Sequence, residues 1–180
     1  YTPAYRRAQE LFAGRRLELV QINKHRNGDH SGWPLRRVVM DDAIHIIDLA
    51  RFFGGSHLAL KSSHCRFGLT AAQLFAPEGA LVQLSQTMGA GAGTEHVELH
   101  GDGLTVIIEE MERLRIREKG VERVETIGGS WTSTLEKRGM APAADHFLTC
   151  LRTGAQPHTT AAEALLTQEL AEAILLGGAS

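Results

Sequence analysis

Cysteine is nearly absent from this 180-residue chain, and Cys65 and Cys150 lie far apart with no CxxC pair. A disulfide framework is not indicated, and a reducing, soluble compartment is the default. No charged leader followed by an apolar run opens the sequence, and no apolar stretch approaches the length of a bilayer span. A cytoplasmic protein without a membrane partner is therefore expected. Basic residues are not in excess, with Lys+Arg 19 against Asp+Glu 21 and a formal charge of -2. They are scattered rather than gathered into a patch with interleaved aromatics, so no nucleic-acid partner is expected. Nucleotide loops are missing too. The run Gly89-Ala90-Gly91-Ala92-Gly93 has neither the G-x-G-x-x-G spacing nor a strand-to-helix setting, and is expected to form a flexible hairpin loop. There is no phosphate-cradling G-x-x-x-x-G-K-[ST] loop and no G-x-S-x-G nucleophile elbow near Ser130 or Ser133.

What is present suits one globular domain over residues 1–180, since 43% hydrophobic and 22% charged residues can build a real core. The first residue is Tyr1 rather than methionine, and a piece of a longer protein is expected. Thr2-Pro3 followed by Tyr5, Ala8 and Phe12 predicts a short opening helix. Residues 17–24 (LELVQINK) predict a strand, and residues 26–34 (RNGDHSGWP) a polar loop. After a helix ending at Gly54-Gly55 the period switches from 3.6 to 2 through seven short segments, from HLALKSSHCRF to VERVETI. Hairpins joined by turns such as Pro77-Glu78-Gly79 and Asp102-Gly103 imply a mostly antiparallel sheet. Two helices close the chain, over residues 142–152 and 160–176, and Thr160 with Glu163 spells a capping box. The class is α+β: a large, mostly antiparallel open sheet with helices packed on one face. The alternation of Val82, Leu84 and Met88 predicts an apolar strip on the other face, and hence self-association into a homo-oligomer through it.

Chemistry concentrates in the helix around residues 40–55. At about 100° per residue, Asp41, His45, Asp48 and Phe52 share one narrow arc, while Ile44, Ile46, Ile47, Leu49, Ala50 and Phe53 fill most of the rest. A helix apolar almost all round is buried, so its polar stripe is either satisfied internally or faces a cleft. One reading has Asp41 and Asp42 favouring the helix N-terminus and His45 as a core histidine; the other makes the stripe a site. His25, Asp29 and His30, and the i,i+4 pair Asp41 and His45, also allow metal ligation as a minor alternative.

The order Asp41, His45, Asp48, Leu49, Gly54 matches a D-x-G-x-H-x-x-D-L helix pattern. With the segments Gly79-Ala80-Leu81, Glu98-Leu99-His100-Gly101-Asp102-Gly103 and Leu151-Arg152-Thr153-Gly154-Ala155-Gln156-Pro157, it makes the chain resemble the C-terminal domain of the Gfo/Idh/MocA oxidoreductases over nearly its whole length. The resemblance implies an NAD(P)-dependent enzyme acting on sugars, cyclitols or related polyols. The nicotinamide cofactor (NAD or NADP) and an E-K-P lysine would then come from an N-terminal Rossmann domain absent from these 180 residues. The chain would be the substrate-binding and oligomerisation half, inactive and unable to bind a dinucleotide alone.

On that resemblance the catalytic pair is His45, the general base, and Asp41, which orients substrate or imidazole; by their positions along the chain Lys24, Trp33 and His158, with Asp48, are expected substrate contacts. A neighbouring carboxylate is expected to raise the His45 pKa. Ala43 stands where the family has glycine, and its methyl is expected to narrow the approach of substrate or nicotinamide; Arg36-Arg37-Val38-Val39 replaces a glycine-rich approach to the helix. Two other function classes stay open: a ligand-sensing co-regulator of the same architecture, and a metal-dependent hydrolase needing His25 or His64 beside His45.

Overall fold

The structure is a computed structural model that describes residues 1–28, 32–66 and 68–177. Helix α1 (Pro3–Leu11) begins on the N1 proline and leads into β1 (Leu19–Asn27). A short α2 (Leu35–Arg37), a π-helical turn (Val38–Ala43) and α3 (Ile44–Gly54) then form one continuous helical rod. It stops where Gly55 takes φ 95°. Seven strands follow: β2 (Ala59–Arg66), β3 (Leu69–Phe75), β4 (Leu81–Thr87), β5 (Gly89–Gly101), β6 (Leu104–Glu109), β7 (Arg113–Glu118) and β8 (Val121–Thr126). A four-residue α4 (Thr134–Lys137), α5 (Met140–Thr153) and α6 (Ala161–Leu175) complete the fold.

The eight strands form one sheet in the order β2-β3-β4-β1-β5-β6-β7-β8. Every neighbouring pair is antiparallel except β1 with β4, because the rod after β1 carries the chain to the sheet edge and β2 to β4 return by hairpins. The period-2 pattern puts Val20 and Ile22, Val82 and Leu84, Val97 and Leu99, and Leu114 and Ile116 in the core. Helix α3 lies over β1 and β4, α6 over β2 and α3, and α1 over β6 and β7. The expected α+β class and open sheet are what the chain adopts. Arg51 ties α3 to α6 by donating to the Glu163 carbonyl, the Glu163 carboxylate and the Thr167 hydroxyl.

Four local expectations are corrected. The Gly89–Ala90–Gly91–Ala92–Gly93 run is not a hairpin loop but the extended start of β5, where Gly89 pairs with Asn27 of β1. Val82, Leu84 and Met88 are buried rather than open to solvent. The uncovered face instead carries polar rows, with Gln21 donating to Gln83 at 3.1 Å and Ser85 to Asn23 at 2.6 Å. Only half of the Thr160 capping box forms: Thr160 accepts from the Glu163 amide, but the Glu163 carboxylate is spent on Arg51 and Ser56. A full box stands elsewhere, at Ser133 and Glu136. Ala43 is fully buried in the core, so its methyl does not narrow any approach to a cleft.

Candidate active site

The core-facing rows of two neighbouring strands turn from apolar to charged at the same level. Along β1 the row runs Val20, Ile22, Lys24; along β5 it runs Leu99, Val97, Glu95, and Lys24 is in register with Glu95. The Lys24 ammonium lies 3.7 Å from Glu95 and 3.8 Å from Asp42. A register shift between His25 and Asn27 bends β1 immediately beyond, a common device beside functional sites. There Arg26 donates three hydrogen bonds to Asp42, at 2.9, 3.0 and 3.3 Å. The Tyr5 hydroxyl donates to Glu95 from α1.

These groups border a cavity of about 390 Å³. His45 and Asp48 from α3, Lys24 and Arg26 from β1, Glu95 and Arg138 supply its polar wall, and Phe52, Met111 and Met140 part of its apolar wall. That size and mixture suit a small polar molecule. Burial, joined by the positive charges of Lys24 and Arg26, holds the His45 pKa below its ordinary 6.5, against the opposite pull of Asp42 and Glu95. The expected rise from a neighbouring carboxylate is thus overturned. Burial also lowers the Lys24 pKa, although Glu95 and Asp42 oppose it. For Asp42 burial works against ionisation, but the hydrogen bonds and charge of Arg26, with Lys24, outweigh it and keep the carboxyl below its usual range.

Of the residues singled out in the sequence, Lys24, His45 and Asp48 meet in this cavity. Asp48 is further fixed by accepting from the Thr167 hydroxyl at 2.8 Å. Asp41 does not join them: it is exposed and pairs with Arg37 at 3.2 Å. The cause is the π-helical turn, whose wider winding alters the angular register between residues 41 and 45. Trp33 is apart from the cavity with the Arg37 guanidinium 4.0 Å over its ring. His158 belongs to a second hollow, with its ring 4.1 Å from that of His146 and its amide donating to His146 Nε2 at 3.1 Å. Asp29 and His30 lie outside the described residues. His25 accepts from the Thr87 amide, and His64 borders a separate hollow on the sheet. Among the described residues, no group of three or more His, Cys, Asp or Glu is placed to hold a metal ion, and no helix is long and apolar enough to cross a membrane. Sequence reasoning missed Tyr5, Arg26, Asp42, Glu95 and Arg138; the charged ends of the β1 and β5 rows were the available signal for Arg26 and Glu95.

Comparison with known proteins bears on the family and the fold. A family model described as YceM-like, C-terminal domain, matches residues 3–119. The putative oxidoreductase YceM of Salmonella typhimurium is 28% identical over 160 residues, which is 86% of this chain and 52% of that protein. A dehydrogenase (MviM) from Clostridium difficile superposes with a TM-score of 0.88 at 20% identity, over 98% of this chain and 59% of that one. A Gfo/Idh/MocA family oxidoreductase from Vibrio cholerae gives 0.76 at 22% identity, over 96% and 57%. Other solved structures of this fold are complexes with NAD+, NADP or NADH. The chain spans about half the length of the curated relative.

Proposed function

This chain belongs to the YceM-like, C-terminal domain family, a C-terminal domain of the Gfo/Idh/MocA oxidoreductases, and from that premise we propose that it is the substrate-binding half of an NAD(P)-dependent oxidoreductase acting on a sugar, cyclitol or related polyol. The observation that carries this reading is His45 set in the wall of the cavity with Lys24 and Asp48. An imidazole whose pKa is pushed below 6.5 is neutral at working pH and ready to accept a proton. During oxidation the substrate O–H proton passes to His45 Nδ1 or Nε2 while the carbinol C–H pair leaves as hydride and a carbonyl forms. The nicotinamide, held by the rest of the protein, supplies the hydride acceptor when bound. Lys24, close behind, places positive charge where the oxygen becomes negative. Asp48 offers an acceptor for a second hydroxyl.

In this reading the dinucleotide is held by the cofactor-binding half and not by these residues. Helix α5 exposes Phe147, Leu148 and Leu151, an apolar surface that suits contact with the cofactor-binding half. In the same reading, copies of the protein meet through the uncovered sheet face and its polar rows, and the protein works in the cytoplasm. The test is NAD(P) reduction by the full-length protein with a panel of sugars and cyclitols. Steady turnover with at least one of them, absent from the isolated chain, supports the proposal; no turnover with any of them contradicts it.

A further inference from the structure

Arg138 enters the cavity from a segment that the sequence pattern does not single out. Ser133 and Glu136 form a reciprocal capping box, with the Glu136 amide donating to the Ser133 hydroxyl at 3.2 Å and the Ser133 amide donating to the Glu136 carboxylate at 2.9 Å. The box starts α4, and the Arg138 amide closes it by donating to the Thr134 carbonyl at 2.9 Å. Gly139 then turns the chain at φ 77°, where an added Cβ would stand 2.5 Å from the Tyr1–Thr2 backbone. The Thr2 hydroxyl donates to the Arg138 carbonyl at 3.3 Å. The Arg138 amide and carbonyl are thus both hydrogen-bonded, which fixes the backbone from which its side chain reaches the cavity.

The guanidinium it presents is unspent. Among the described residues no carboxylate lies within ion-pairing distance of it, and it donates only a long contact to the Met111 sulfur, at 3.9 Å. Arg26, which shares the cavity wall, is committed to Asp42. The nearby carboxylates are committed as well. Glu95 accepts from Tyr5 and faces Lys24, and Glu110 accepts the Glu95 amide at 3.0 Å. Met111 is held beside Arg138 by a turn in which both Glu110 and Met111 take positive φ, 53° and 62°. That left-handed conformation is strained for a residue with a side chain. A planar fork of five donors, exposed on an anchored stretch of backbone and unpaired by any carboxylate beside a cavity that also holds Lys24, is complementary to a planar oxyanion.

We propose that the substrate is an acidic sugar or hydroxy acid, whose carboxylate is taken by Arg138, with Lys24 adding charge from the wall, while a hydroxyl-bearing carbon is presented to His45. This rests on the substrate-cavity reading above and narrows it to a class. Arg138 is the residue that selects the acid over the neutral polyol of the same shape.

The test uses the full-length protein and matched pairs that differ only at one carbon: D-galacturonate with D-galactose, D-glucuronate with D-glucose, and D-gluconate with D-glucitol. Dissociation constants come from calorimetry in the presence and absence of NAD(P). At least one acid should bind tenfold or more tightly than its neutral partner, and the preference should weaken as salt is raised. Arg138→Gln should erase that preference, weakening the acid at least tenfold more than its neutral partner, and Arg138→Lys should restore part of it. Equal binding within every pair, or an Arg138→Gln effect equal on acid and neutral, overturns the proposal. The two readings fail separately. An Arg138-dependent acid preference without NAD(P) reduction keeps the anion site and removes the oxidoreductase. His45-dependent turnover of neutral polyols with no acid preference does the reverse.

Discussion

Asp42, not Asp41, is the carboxylate that Arg26 holds, through hydrogen bonds at 2.9, 3.0 and 3.3 Å. The Asp42 side chain is 13% exposed and that of Arg26 44%, so the pair lies between a surface bridge and a buried one. Arg26→Ala leaves a mostly buried carboxylate with Lys24 and His45 as its remaining neighbours, and should cost about 1–3 kcal/mol of stability. Urea unfolding of the variant measures it. The folded Asp42 pKa is below its ordinary 3.8, so the pair's stabilisation is present above that value and is lost as pH falls through the folded value. Acid titration of the variant should lack this part of the decline.

For His45 the sign is opposite in origin but similar in outcome. Its folded pKa is below 6.5, so as pH falls from that value the unfolded chain takes the proton first and the folded state loses stability. In the full-length protein the acid limb of kcat/KM should lie below pH 6.5. Lys24→Met removes a charge that depresses the imidazole, and should move the limb upward. An acid limb unmoved by Lys24→Met in a folded, active variant would contradict the assigned coupling.

Arg51 is buried, and it holds Glu163 and Thr167 across the gap between α3 and α6. Arg51→Ala strands these acceptors and leaves a void, so a loss of about 3–5 kcal/mol is expected. Arg37→Ala, at an exposed pair with Asp41, should change stability by less than about 1 kcal/mol. Thermal melts of both variants give the comparison.

Gly101 ends β5 where the chain leading into β1 crosses it. An added Cβ would stand 2.0 Å from the Arg16 carbonyl oxygen, which is backbone and cannot swing aside. Gly101→Ala should therefore destabilise by about 1–3 kcal/mol or more. A melting temperature equal to that of the parent chain would refute this account of the crossing.

The strands, both turns and the terminal helices were legible because their period and punctuation are local. Pro77 and Gly79 mark the turn between β3 and β4, where the Gly79 amide donates to the Ala76 carbonyl at 2.9 Å. What the sequence hid was non-local or non-ideal. The Gly89–Gly93 run is extended because Asn27 pairs with it and donates to the Gly91 carbonyl at 2.7 Å, which no local propensity encodes. Asp42 replaces Asp41 in the charge cluster because a helical wheel assumes 3.6 residues per turn and residues 38–43 wind more widely. Tyr5 and Arg138 are far in sequence from His45 and are brought to it only by the sheet. His158 and Trp33 were placed by position along the chain, and the fold leads them elsewhere.

The central claim is that His45 takes a proton from substrate. The most direct measurement is kcat for His45→Ala in the full-length protein, with the melting temperature taken on the same preparation. A positioned base predicts a loss of about 10²–10⁴-fold in kcat with a nearly unchanged melt, because the imidazole borders a cavity instead of filling the core. Unchanged turnover per folded molecule would contradict the account.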